Sequence, residues 1–128
     1  FSFKIYFQSF KPVDITYLSA MQAFFVLWNQ SVWGAFKKSD PKQNNIESYK
    51  DYNTPTDATS IFTIENHVIT LGNELAVYLP SESELKLVKN YSDISGTCYS
   101  KAGNVVAIAN AQGLFIYDFN DLENLIHC

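Results

Sequence analysis

The chain repeats one pattern, in which two short apolar runs flank a turn that contains Gly and Asn. Asn66–Leu79 reads NHVITLGNELAVYL, and Asn104–Asp118 reads NVVAIANAQGLFIYD. Val68 aligns with Val106 at an offset of 38 residues. After a one-residue gap the offset becomes 39, which aligns Leu75, Val77 and Tyr78 with Leu114, Ile116 and Tyr117. Units that recur at this period bury their apolar faces by stacking on one another, so the repeat restricts the chain to stacked architectures.

The residues between these two copies also have the character of strands. Leu85, Leu87 and Tyr91 predict an alternating strand, and a further strand leads to the turn Lys101–Asn104. Each unit then holds four strands in about 40 residues, which is the size of a β-propeller blade.

A third and weaker copy lies near the start of the chain. The stretch FVLWNQSVWGA aligns Phe25 with Val68, and Val32 with Leu75, at an offset of 43 without a gap. Gly34 stands where the other copies have Val or Ile. We therefore predict three related units.

The last unit resembles a WD40-type propeller blade. It reads YSKAGNVVAIANAQGLFIYDFNDLENLIHC, and its Tyr117-Asp118 pair stands where that family has Trp-Asp. The resemblance covers residues 61–128, and more loosely 14–36. The chain departs from the family in lacking a Gly-His pair and in having Leu79 at the position equivalent to Asp118. The resemblance implies an all-β chain of antiparallel four-stranded blade-like repeats, a partial and degenerate β-propeller.

The number of units sets an expectation about assembly. A propeller closes with about four to eight blades, and this chain has at most three. We therefore expect residues 1–128 to be a single domain or a fragment of a larger propeller, with residues 37–60 as a polar loop or insertion that holds a short strand at 46–52. A protein partner or other chains would complete the fold, which predicts an oligomer or a complex subunit.

The first third of the chain also fits a helix. Asp14 suits an N-cap, and an apolar stripe at helical spacing follows it, formed by Leu18, Met21, Phe25, Trp28 and Val32. The terminal NDLENLIHC would form a second helix. This alternative is a small α+β module with an N-terminal helix packed on an antiparallel sheet, and it suits an adaptor of the longin, pleckstrin or NTF2 type.

The residues that usually carry catalysis do not form a recognisable set. His67 and His127 both lie beside apolar runs, and neither has a nucleophile or carboxylate at a diagnostic spacing. Together with Cys98 and Cys128 they lack the spacing of a zinc site. Asp118 reads as a turn or strand-end cap. The sequence predicts no enzyme, no catalytic, cofactor-binding or metal site, and no cofactor.

Charge and hydropathy narrow the range of partners. The net charge is −4, all nine basic residues are Lys, and the chain has no Arg, so we expect no nucleic-acid partner. The most apolar stretch, Ile15–Phe36, is interrupted by Gln22, Asn29 and Gln30, which predicts no membrane span. The two cysteines favour free thiols in a reducing compartment over a secreted disulfide scaffold, and they leave secretion open.

Four aromatic residues are candidate contacts for a partner or ligand. Trp28 and Trp33 fit either buried anchors between blades or a ligand platform, and Tyr49 and Tyr52 lie in the polar segment. The function predicted is a non-enzymatic protein–protein interaction scaffold that binds through blade loops. The alternatives are the α+β adaptor and a lectin-like module for a carbohydrate or small ligand.

Overall fold

Each set of four consecutive strands forms one antiparallel sheet. The computed structural model describes residues 12–28, 31–37, 46–54 and 56–128. In these ranges twelve strands make three four-stranded sheets, so the predicted all-β class is confirmed. Within the same ranges no helix is long and apolar enough to cross a membrane.

Strand order within each sheet follows the chain. The first sheet contains β1 (Pro12–Leu18), β2 (Ala23–Trp28), β3 (Ser31–Lys37) and β4 (Ile46–Asp51). The second contains β5 (Ser60–Ile64), β6 (His67–Leu71), β7 (Leu75–Pro80) and β8 (Leu85–Tyr91). The third contains β9 (Cys98–Ala102), β10 (Val105–Asn110), β11 (Gly113–Asp118) and β12 (Ile126–His127).

The two strongest sequence copies are the central hairpins of the second and third sheets. Val68 pairs with Tyr78 in one hairpin, and the aligned Val106 pairs with Tyr117 in the other. The alignment therefore matches cross-strand pairs as well as single residues. The β10–β11 turn is closed at Gly113, whose φ of +146° favours glycine.

The α+β alternative is wrong, because the segment predicted as a helix forms β1, β2 and β3. A single 3-10 turn at Ser19–Met21 joins β1 to β2, and Gln22 ends it in the left-handed region with φ 49°. Residues 23–28 are apolar at every position, and as a strand they are buried on both faces except at Phe24. The terminal NDLENLIHC forms turns and β12.

The weak third copy is a hairpin, as predicted, but the gapless sequence alignment is shifted by one residue in its first strand. Leu27 pairs with Val32 as Leu71 pairs with Leu75, yet four residues separate the first pair and three the second. Phe25 is therefore equivalent to Ile69. It packs in one cluster with Val68, the residue with which the gapless alignment matched it.

The polar segment 37–60 contributes a strand to the first sheet. β4 begins at Ile46 and pairs with β3, in agreement with the short strand predicted at 46–52. At the end of β4, Asp51 accepts hydrogen bonds from Ser31 Oγ at 2.7 Å and from the backbone N–H of Asn53 at 2.8 Å. The segment is thus a sheet edge as well as a connection.

The prediction for β8 is partly wrong, because its burial does not alternate. Leu87 is 52% exposed, whereas Val88 and Tyr91 pack on the core. A register shift between Val77 and Tyr78 causes this: these residues pair with Lys89 and Leu87, so Val88 has no partner between them. Such a bulge changes the face to which the following side chains point.

The three sheets stack in chain order around two apolar clusters. The first cluster joins the first and second sheets and contains Leu18, Ala23, Phe25, Leu27, Val32, Ile61 and Val68. The second joins the second and third sheets and contains Phe62, Ile64, Ile69, Leu71, Leu75, Val77, Ile94, Val106, Ile108, Phe119 and Leu122. The second sheet therefore contributes apolar side chains on both of its faces.

A carboxylate fixes the contact between β1 and β5. Asp14 Oδ2 accepts a hydrogen bond of 2.9 Å from the backbone N–H of the buried Ile61. We expect Asp14→Ala to lower the free energy of unfolding by about 1–2 kcal/mol, because the N–H then lacks its acceptor. Asp14→Asn keeps an oxygen and should cost less. Urea denaturation measures both, and equal losses for the two variants would contradict this role.

Candidate interaction surfaces

Exposed apolar side chains are concentrated at the two ends of the stack. Ten large hydrophobic side chains are exposed among the described residues, and eight of them belong to the end sheets. On the first sheet these are Val13, Ile15, Tyr17 and Phe24, and on the third sheet they are Val105, Leu114, Ile116 and Ile126. Patches of this kind on a folded chain usually mark contact surfaces.

The outer face of the third sheet is the one turned away from the second sheet. Val106 and Ile108 point into the cluster between the second and third sheets, so alternate residues of β10 and β11 point outwards. The pairs Ala107–Ile116 and Ala109–Leu114 form its centre. Its four large side chains, Val105, Leu114, Ile116 and Ile126, are 41–66% exposed.

The same positions are covered in the other two sheets. In the second sheet they are the pairs Ile69–Val77 and Leu71–Leu75, which are 0% exposed beneath the third sheet. In the first sheet they are Phe25–Gly34 and Leu27–Val32, which are buried beneath the second sheet. One face is thus used twice for stacking, and its third copy carries no sheet in the described part of the chain.

The outer face of the first sheet holds both tryptophans. Trp28 and Trp33 stack with ring centroids 5.2 Å apart and planes at 16°. Trp28 is only 4% exposed and Trp33 is half-buried. Nearer β1, Tyr17 and Phe24 lie 4.8 Å apart between ring centroids and remain exposed. Trp28 is therefore buried on the face turned away from the second sheet, and it does not lie between two of the three described sheets.

Tyr52 lies in the contact between the first and second sheets. Its hydroxyl donates a 2.9 Å hydrogen bond to the Ser81 carbonyl, and its ring stacks on Phe25. Burial, with a smaller contribution from Glu82, raises the pKa of this hydroxyl, which therefore remains a neutral donor. Lys50 Nζ lies 5.6 Å from the ring centroid and donates to the Ser83 carbonyl. Tyr52 therefore joins two sheets.

The four candidate residues do not form one site. Trp28 and Trp33 lie on the outer face of the first sheet, and Tyr52 lies between the first and second sheets. Tyr49 pairs with Ala35 through the β4 backbone, and its side chain is outside the described residues.

The histidines and cysteines are spread over two sheets. Cys98 and Cys128 are exposed thiols at opposite edges of the third sheet, with β10 and β11 between them, which is too far for a disulfide. His127 packs its ring beside Phe115 and Tyr117. In residues 12–28, 31–37, 46–54 and 56–128, no group of three or more His, Cys, Asp or Glu side chains is placed to hold a metal ion. Asp118 caps a turn as predicted, accepting from the Asn120 N–H at 2.8 Å.

The sequence contained the signal for the outer face, although we named no residue of it as a contact. Leu114 and Ile116 align with Leu75 and Val77, which are core residues. The alternation of apolar residues in a strand is the same whether or not another sheet covers its apolar face. The structure is needed to show that this copy is exposed.

Comparison with known proteins supports the fold only. No family model matches the chain, and no curated protein sequence matches it. The chain is similar to the solved structure of KlHsv2 with loop 6CD replaced by a Gly-Ser linker, with a TM-score of 0.57 and 13% identity over 92% of this chain. The chain spans 38% of the length of that structure.

Proposed function

We propose that the chain is a non-enzymatic protein-interaction scaffold, formed by three blades of a β-propeller that further blades complete. The observation that carries this proposal is the outer face of the third sheet. It repeats, pair for pair, the two faces that are already covered by a following sheet. The occupant we propose is therefore another four-stranded antiparallel sheet, supplied by a further polypeptide segment.

Hydrophobic burial favours such an addition. Full burial of an exposed Val, Leu or Ile side chain contributes about 1.5–3 kcal/mol. This face presents four such side chains, which are about half exposed and so would gain only part of that energy. Even at half that gain, the face contributes several kcal/mol before the cost of association. The outer face of the first sheet offers a second apolar end, so blades can be added on both sides.

The size of the structural neighbour agrees with this proposal. The three sheets of this chain correspond to 38% of the length of that neighbour. Its full length would therefore correspond to about seven or eight sheets of similar size. That number falls in the range of about four to eight blades in which propellers close.

Light scattering tests the proposal through the mass of the chain in solution. We expect the 14.5 kDa chain to associate or to bind completing blades, because it exposes two apolar ends. Leu114→Glu combined with Ile116→Glu should reduce the associated fraction at least tenfold, since docking would bury two carboxylates.

Leu87→Glu is the matched control. Leu87 is also about half exposed but lies on β8 of the central sheet, so its replacement should leave the mass unchanged. A wild-type chain that stays at 14.5 kDa at concentrations of tens of micromolar and binds no further blade would contradict the proposal.

A further inference from the structure

A cavity of about 390 Å³ lies on the second sheet, separate from the two end faces. Its floor is a cross-strand row in which Thr70 pairs with Ala76, and Ala76 with Asn90. Tyr78 follows Ala76 on the same side of β7, and Thr56 adds a wall from the connection to β5. The small side chain of Ala76 leaves the space between these larger neighbours open.

Two carboxylates from different segments border this cavity. Asp57 comes from the connection before β5, and Glu74 from the turn between β6 and β7. Asp57 Oδ2 accepts a hydrogen bond of 2.5 Å from Asn73 Nδ2, and Glu74 Oε2 accepts one of 2.6 Å from Asn90 Nδ2. Both donors are neutral amides, which orient the carboxylates without cancelling their charge.

The remaining lining is neutral. Thr70 and Tyr78 are 2% and 7% exposed, and their side chains share a hydrogen bond. Burial raises the pKa of the Tyr78 hydroxyl, and Glu74 adds to the effect, so the phenol does not contribute a charge. No lysine is among the described residues that line the cavity. Its field is therefore set by the two carboxylates.

The volume indicates the size of the ligand. Water occupies about 30 Å³ per molecule in the liquid, so the space holds far more than one ion or water. It falls within the range of about 300–1,000 Å³ that is typical of sites for small organic ligands. The carboxylates would bind a cation at the mouth, and the Ala76 and Tyr78 floor would contact its carbon skeleton.

We propose that this cavity binds a guanidinium or alkylammonium group, presented by a small organic cation or by a basic side chain of a partner peptide. Asp57 and Glu74 accept charge-assisted hydrogen bonds from the group, and Asn73 and Asn90 hold the carboxylates in place. Among the described residues, those that line the cavity belong to the second sheet, its β6–β7 turn and residues 56–57, so this inference does not depend on the missing blades.

Isothermal titration calorimetry with matched probes tests the site on the whole chain. The probes are agmatine and a Gly/Ser peptide that carries one arginine. Each is compared with a neutral relative. Citrulline replaces arginine in the peptide, and butylurea, which has neither the guanidinium nor the amine, replaces agmatine. We expect saturable binding of the arginine peptide, of agmatine, or of both, and at least tenfold weaker binding of the neutral relatives. Binding of the peptide alone would identify a partner side chain as the source, and binding of agmatine alone would identify a small cation. Binding of both would show that the cavity accepts the group from either source.

Variants then locate the site. Asp57→Asn combined with Glu74→Gln removes both charges but keeps the carbonyl acceptors for Asn73 and Asn90, and it should weaken binding at least tenfold. Glu123→Gln makes the same kind of change on an exposed loop residue of the third sheet and should alter binding less than twofold. Absence of binding by both cations, equal binding of the neutral relatives, or unchanged binding by the double variant would overturn the proposal. If the double variant does not fold, the comparison of arginine with citrulline still decides it.

Discussion

Replacing Phe62 with alanine is expected to lower the free energy of unfolding by about 3–5 kcal/mol. Phe62 lies on β5, is 1% exposed, and belongs to the cluster that joins the second and third sheets. Its ring stacks on Tyr99 of the third sheet with centroids 4.3 Å apart, and it lies 6.2 Å from Phe119. The substitution would therefore remove two ring contacts from the second sheet to the third and leave a cavity between them.

Urea denaturation at 25 °C, followed by tryptophan fluorescence and circular dichroism, measures this loss. Phe62→Leu keeps most of the volume and should recover more than half of the stability. Phe24→Ala is the matched control, because it deletes the same atoms from a ring that is already exposed on the first sheet. A loss below 1 kcal/mol for Phe62→Ala would show that the second and third sheets do not depend on this contact.

The central hairpins could be predicted from the sequence because their determinants are local. Val68, Leu75 and their counterparts near Gly113 are close together in sequence, and apolar alternation around a turn is enough to define such strands. The same reasoning was ambiguous for Ala23–Trp28. A strand that is apolar on both faces has no alternation, so it resembles a buried helix until its neighbours are known.

Other features depend on residues that are distant in the sequence. Asp14 caps the N–H of Ile61 across 47 positions, and no local pattern indicates that pairing. The bulge at Val88 reversed the burial expected for Leu87. The lining of the cavity combines Asp57, Thr70 and Asn90, which only the sheet register brings together. Function was harder to predict than fold for this reason.

The second large effect is expected at Gly96, which lies where the second and third sheets approach closely. Its N–H donates a 3.0 Å hydrogen bond to the Gly72 carbonyl. A Cβ at residue 96 would overlap Cγ2 of Ile108 and would lie 3.2 Å from Leu71 Cδ2 and 3.3 Å from the Ala109 carbonyl oxygen. We expect Gly96→Ala to cost about 3 kcal/mol, at the upper end of the range for overpacking, because Leu71 and Ile108 are held in the core and the Ala109 oxygen belongs to the backbone of β10.

A double-mutant cycle identifies the atom responsible. Ile108→Ala removes Cγ2, so its combination with Gly96→Ala should be about 1–3 kcal/mol more stable than the sum of the two single changes. Ile108→Val removes only Cδ1 and retains Cγ2, so the same combination with valine should be additive. Thermal and urea unfolding of the five variants measure both cycles. Additive losses with alanine would show that the cost at Gly96 arises from its contacts with Leu71 and the Ala109 oxygen and not from the contact with Ile108. Coupling with alanine, but not with valine, would assign the cost to the Cγ2 methyl group of Ile108.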